Sequence, residues 1–91
     1  MSPKFARQLL DDGSYLDISI FSIRRDKWRP HGVRYRLAWI KNGICRVLFD
    51  NHHGKTDHVH LDGKEYFYEF TNVRKLREDF ETQVRKRGGP L

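Results

Sequence analysis

Hydrophobic and polar residues alternate with a period of two over much of the chain. Between residues 14 and 23, Leu16, Ile18 and Ile20 fall on one side and Tyr15, Asp17, Ser19 and Phe21 on the other, the pattern of a half-buried strand rich in β-branched side chains. Val33, Tyr35, Leu37 and Trp39 alternate with Arg34, Arg36 and Ala38; after Lys41-Asn42-Gly43, residues Cys45, Val47 and Phe49 alternate with Arg46 and Asp50. Two hairpin registers compete here. A two-residue Asn42-Gly43 turn pairs Trp39 with Arg46 and Tyr35 with Asp50. A three-residue Lys41–Gly43 loop, with Gly43 left-handed, pairs Trp39 with Cys45, Leu37 with Val47 and Tyr35 with Phe49. The second register gathers the large apolar residues on one face, which a one-residue slip would scramble, and it is the one expected. It sets Arg36 opposite Leu48 and Arg34 opposite Asp50, and it buries Cys45 as an inert core thiol.

Residues 57–61 and 65–70 form a second hairpin across Asp62-Gly63, a type I′ signal. Counting outward pairs Val59 with Tyr66, so Val59, Leu61, Tyr66, Tyr68 and Phe70 share the core face while His58 and His60 point away. Residues 72–87 read as a helix capped by Asn72 or Thr71, with Val73, Leu76, Phe80 and Val84 as its buried stripe. Arg85, Lys86 and Arg87 complement its C-terminal dipole. Residues 3–11 read as a short helix, with Ser2 as cap, Pro3 in the first turn and an apolar stripe of Phe5, Leu9 and Leu10; Asp12-Gly13 ends it. Residues 24–32 are a basic loop, 51–56 a turn, and 88–91 a fraying tail. The expectation is one α+β domain over residues 1–91. It has an antiparallel sheet of about five strands, an N-terminal and a C-terminal helix on one face, and a polar opposite face.

Composition narrows the class. Ninety-one residues allow one small domain and exclude the large cofactor-binding folds. No apolar run approaches the ~20 residues of a membrane span, and the first residues lack the apolar segment of a signal peptide. A single cysteine excludes an internal disulfide and a cysteine-rich zinc site. The expectation is a cytoplasmic protein that needs no cofactor. A net charge of +6 and a pI near 9.8 point to a polyanionic partner.

The polar face supplies the chemistry. It collects Arg34, Arg36, Arg46, Asp50, His58 and His60, and the adjoining turn adds His52, His53 and Lys55. Four of the five histidines lie between residues 52 and 60. Imidazole titrates nearest neutrality, and guanidinium matches two phosphate oxygens. Such a face suits metal-free RNA cleavage: one group takes the 2′-hydroxyl proton, another protonates the leaving 5′-oxygen, and arginines hold the phosphorane charge. Arg24, Arg25, Lys27 and Arg29, with Trp28 among them, suit single-stranded RNA, the charges tracking the backbone and the ring stacking a base. Three other readings stay open. An exposed sheet face must be polar in any case, so the domain could bind RNA without cleaving it. It could be a protein-interaction module. Or His58, His60 and Asp50 could share one zinc ion.

The segments Tyr35-Arg36-Leu37, Asn42-Gly43, Phe49-Asp50-Asn51-His52-His53-Gly54, His58-x-His60, Gly63, Tyr68-Glu69-Phe70 and Leu76-x3-Phe80 together resemble the TumE family of small toxins from bacterial and archaeal type II toxin–antitoxin operons. The resemblance covers about residues 12–85, and its most specific part is Asp50-Asn51-x-His53-Gly54 followed by His58-x-His60. It implies a growth-inhibiting toxin acting on RNA and neutralised by a helix-turn-helix antitoxin. On this likeness Asp50, His53, His58 and His60 form the polar signature and Arg36 is the basic strand residue.

Overall fold

The computed structural model describes residues 4–52 and 56–91. Among them, six strands form one antiparallel meander whose spatial order follows the chain: β1 (Lys4–Leu9), β2 (Tyr15–Ser22), β3 (Val33–Lys41), β4 (Ile44–Asp50), β5 (His58–Leu61) and β6 (Lys64–Phe67). One helix, α1 (Val73–Lys86), follows and packs across one face. None of the described helices is long and apolar enough to cross a membrane.

The expected N-terminal helix is a strand, which raises the sheet from five strands to six. Ala6, Arg7, Gln8 and Leu9 lie opposite Ile18, Asp17, Leu16 and Tyr15. A helix of two turns is marginal on its own, whereas this segment finds hydrogen-bond partners along β2. The turn between them is built for reversal. Gly13 has a φ of 86°, the Leu10 amide donates to the Ser14 carbonyl at 2.8 Å, and the Asp12 carboxylate accepts from the Ser14 amide at 2.9 Å. Across the strands Arg7 grips Asp17 with two bonds of 2.8 and 3.0 Å, which hold the Asp17 carboxyl below the usual range. Leu9, expected to be buried, is 77% exposed. The proposed cap and first-turn residues, Ser2 and Pro3, lie outside the described residues.

The central hairpin corrects the expected register. Asn42 and Gly43 both have positive φ, 53° and 76°, so the turn is the two-residue type I′ form. Ile40 then pairs with Cys45, but Trp39 pairs with Val47, Leu37 with Phe49 and Arg36 with Asp50. Arg46 is therefore an extra residue in β4, a β-bulge. The bulge preserves the expected parity: Leu37, Trp39, Val47 and Phe49 face the core together. It also has three consequences that the three-residue loop did not allow. Arg36 meets Asp50 and not Leu48. Cys45 is exposed, on the same side as Arg36, Asp50 and Asp17, while partial desolvation pushes its thiol pKa up. Arg46 leaves the polar face, donates to Asp62 at 3.1 Å and places its guanidinium over the Trp39 ring.

The core joins Leu16, Ile20, Tyr35, Leu37, Trp39, Val47, Phe49 and Val59 of the sheet to Leu76, Phe80 and Val84 of α1. Phe49 meets Phe80 and Tyr68 edge-on, at 6.0 and 5.0 Å. Asn72 caps α1 by accepting from the Lys75 amide at 2.8 Å, as expected. The second hairpin also pairs Val59 with Tyr66 across a left-handed Asp62-Gly63 turn. Tyr66 is nonetheless exposed, because α1 lies over β4 and leaves β6 uncovered. The C-terminal residues fold back against the end of α1. The Gly89 amide donates to the Val84 carbonyl at 2.9 Å, a Cβ at Gly89 would stand only 2.2 Å from a Val84 methyl, and Leu91 packs on the core.

Asp62 ties three elements, accepting from Arg46 at 3.1 Å and from Arg87 at 2.9 Å. These bonds hold its carboxyl below the usual range. A depressed acid contributes stability that is present above its unfolded pKa, ~4, and is lost as pH falls through the lower folded value. Asp62→Asn should therefore melt below wild type at neutral pH, by a small margin because the site is exposed. The margin should close as the pH is lowered below ~4. A gap in melting temperature independent of pH would remove the ionic role.

Candidate functional site

The sheet has two ends. One carries the tight turns Asp12-Gly13, Asn42-Gly43 and Asp62-Gly63. The other carries the 23–32 loop and the 51–57 segment, and here β4 ends at Asp50 and β5 starts at His58. On the face away from α1, the register sets Ser19, Arg36, Asp50, His58 and Phe67 in one row across β2 to β6. His60 lies two residues along β5 from His58.

Asp50 is the centre of this group. Its Oδ1 lies 2.5 Å from His58 Nε2 and its Oδ2 lies 3.5 Å from His52 Nδ1. His58 is buried, and its Nδ1 lies 2.9 Å from the Thr56 carbonyl oxygen. A carbonyl only accepts, so Nδ1 carries a proton, and Nε2 is the atom on the carboxylate side. The short approach of Nε2 does not satisfy Asp50 Oδ1, which is buried and has no aligned donor among the described residues. The rings of His58 and His60 are 5.1 Å apart, and those of His58 and His52 are 5.9 Å apart. Glu65, opposite His60 on β6, places Oε1 3.2 Å from its Nε2.

Beside this cluster opens a cleft of about 310 Å³, lined by Asp17, Phe21, Arg34, Arg36, Asp50 and His52 among others. Arg34 sits over the Phe21 ring, 5.6 Å from its centroid. Arg34 and Arg36 are exposed, as is His52. The cleft thus joins anion-binding guanidinium groups to an accessible imidazole that stands beside a carboxylate. Those are the parts needed to hold a phosphate and move protons around it.

The sequence-derived candidates divide accordingly. Asp50, His58, His60 and Arg36 come together, but His58 is buried where an exposed ring was expected. His53 and Lys55 lie outside the described residues. Arg24, Arg25 and Lys27 are exposed in the 23–32 loop, and Trp28 is half-buried under Lys27, whose Nζ is 4.8 Å from the ring. Arg29 is buried and bonds Asp26 at 2.8 Å, which withdraws its guanidinium from the surface patch. Arg34 lines the cleft; Arg46 is drawn to Asp62 by the bulge.

Two histidines outside the expected catalytic set also stand out. His52, which the sequence puts in the turn beside the polar face, lies two residues beyond the end of β4, so the direction of its ring depends on the loop. His31 forms a second histidine–aspartate pair. The Val33 amide donates to its Nδ1 at 3.2 Å, so Nε2 carries the proton and donates to buried Asp57 at 2.8 Å. This pair floors a smaller cleft of about 250 Å³ with Trp28, Phe67, Tyr68 and Phe70. Both His31 nitrogens are satisfied, and its ring lies 4.1 Å from that of Phe70, tilted by 34°, so it braces the 23–32 loop against Asp57.

A family model described as "Toxin TumE" matches residues 4–88. No curated protein and no solved structure matches the chain.

Asn51 links the site to the fold. It is fully buried; its Oδ1 accepts from the Tyr35 amide at 3.0 Å, and its Nδ2 donates to the Val33 carbonyl at 2.8 Å and to Asp57 at 3.2 Å. Replacing it strands an amide and a carbonyl at ~1–3 kcal/mol each. Asn51→Ala should lose ~2–4 kcal/mol in urea unfolding. A loss under ~1 kcal/mol would show that water replaces the side chain.

Proposed function

Because the chain belongs to the TumE toxin family, we propose that this toxin is an endoribonuclease whose active site is the Asp50 cleft. Membership also implies an antitoxin partner; the resemblance makes that partner a helix-turn-helix protein of a type II operon, with the toxin acting on cytoplasmic RNA. The observation that carries the reading is Asp50, flanked by His58 and His52 and set opposite Arg36 across the β3–β4 ladder.

The chemistry follows from these groups. Arg34 and Arg36 hold the two non-bridging oxygens of the scissile phosphate. An imidazole removes the 2′-hydroxyl proton, and O2′ attacks phosphorus. The bond from phosphorus to O5′ then breaks, and a second, protonated imidazole donates to O5′. The products are a 2′,3′-cyclic phosphate and a 5′-hydroxyl. His52 and His60 are the solvent-open rings of the described set, while His58 and Asp50 orient them; His53 joins them on the family resemblance. The substrate supplies the nucleophile, and the scheme uses no cofactor. Arg24, Arg25 and Lys27, with Trp28 as a stacking surface, extend the site along a single strand.

Toxin purified free of its partner should cleave single-stranded RNA in EDTA and leave 2′,3′-cyclic ends. Arg36→Ala and His52→Ala should each slow cleavage by ~10²–10⁴-fold with unchanged circular dichroism. RNA binding without cleavage, weakened by salt and lost only on neutralising Arg24 and Arg25, would replace this reading with a non-catalytic binding module.

A further inference from the structure

We propose that Asp50, His58 and His60 form a site for one divalent transition metal ion of the zinc class, and that its occupancy switches the ribonuclease off. Only the second half rests on the ribonuclease reading. One donor atom from each residue lies within 4.8 Å of the others. The argument begins with His58. Its Nδ1–H is committed to the Thr56 carbonyl at 2.9 Å, the carbonyl lock that commonly orients a metal-binding imidazole. Its Nε2 is left beside Asp50, 2.5 Å from an Oδ1 that is buried and without an aligned hydrogen-bond donor among the described residues. An imidazole nitrogen and a carboxylate oxygen so placed, off the line of a mutual hydrogen bond, can both turn to one cation set beside them.

His60 supplies the third donor from the same face of β5, and Glu65 at 3.2 Å orients its ring as carboxylates orient metal-bound imidazoles. Two imidazoles and one carboxylate favour zinc-class ions over magnesium or calcium, which prefer all-oxygen shells. Tetrahedral donors around such an ion stand ~3.3 Å apart, within reach of small side-chain rotations from the spacing observed. Three protein ligands leave a fourth position for water. An ion so held takes the imidazole lone pairs that the proton transfers need, and it fixes Asp50 away from His52. Zinc should therefore oppose the metal-free reaction.

The test uses the full-length toxin, stripped with chelator and titrated with zinc chloride against a chromophoric zinc indicator. One ion per chain should bind with micromolar or tighter affinity. His60→Ala, at a half-exposed position, and the near-isosteric Asp50→Asn should each weaken binding at least ~10-fold with circular dichroism unchanged, while Cys45→Ser binds as wild type. Sub-stoichiometric binding, or wild-type affinity in both ligand variants, would overturn the site. One equivalent of zinc should lower RNA cleavage at least tenfold, and EDTA should restore it. Cleavage that requires zinc would overturn the inhibitory half. A chain that binds zinc through these residues yet never cuts RNA would leave the metal site standing and remove the ribonuclease reading instead.

Discussion

The extra residue in β4 decides which side chains meet across the centre of the sheet. With Asn42 and Gly43 both left-handed, the turn alone would align Trp39 with Arg46 and carry that polarity down the ladder. The bulge at Arg46 advances β4 by one position, so Trp39 meets Val47 and Leu37 meets Phe49. Burying four such side chains stabilises the fold by ~1.5–3 kcal/mol each, far more than an unpaired bulge residue costs. The same step brings Arg36 against Asp50. Core packing and the candidate site are thus two faces of one register.

The two histidine–aspartate pairs divide the work at the loop end of the sheet. His31 and Asp57, with Asn51, satisfy one another and the ends of β3 and β4. Nothing in that network is left over for chemistry, and its effect is to tie Asn51 and Asp57 to the start of β3 and to His31. Beside Asp57, the Thr56 carbonyl accepts from His58 Nδ1 and so sets Nε2 next to Asp50. Asp50 is the contrast, with one oxygen buried and without an aligned donor among the described residues, and the other 3.5 Å from an exposed ring.

Much of this was legible in the residues. Alternation gave the strand faces, the Asn72 cap and the Leu76–Phe80–Val84 stripe gave α1, and Asp62-Gly63 gave the second hairpin with its register. The N-terminal segment was misread because Phe5, Leu9 and Leu10 also fit a helical period, and the choice was made by hydrogen bonding to β2. The register of the central hairpin was hidden because the bulge carries an ordinary arginine and no glycine to mark it. Cys45 and Arg46 changed sides for that single reason. Arg29, His31 and His52 lie in loops, where direction follows from tertiary bonds that periodicity does not encode.

Charge placement gives the loop end its character. Many cations elsewhere are matched to acids that hold the fold: Arg7 to Asp17, Lys41 to Asp12, Arg46 and Arg87 to Asp62, and Lys75 to Asp79. The excess behind the +6 net charge therefore counts most where Arg24, Arg25 and Lys27 stand in the loop between β2 and β3, and where Arg34 and Arg36 begin β3. The Ile23 amide bonds the Gly32 carbonyl at 3.0 Å, which closes that loop beside the strand ends bearing Arg34 and Asp50. A polyanion drawn to this end by long-range attraction is delivered to the edge of the imidazole cluster. An antitoxin that neutralises the protein by occlusion would have to present acidic groups to the same end, so inhibitor and substrate would compete for one field.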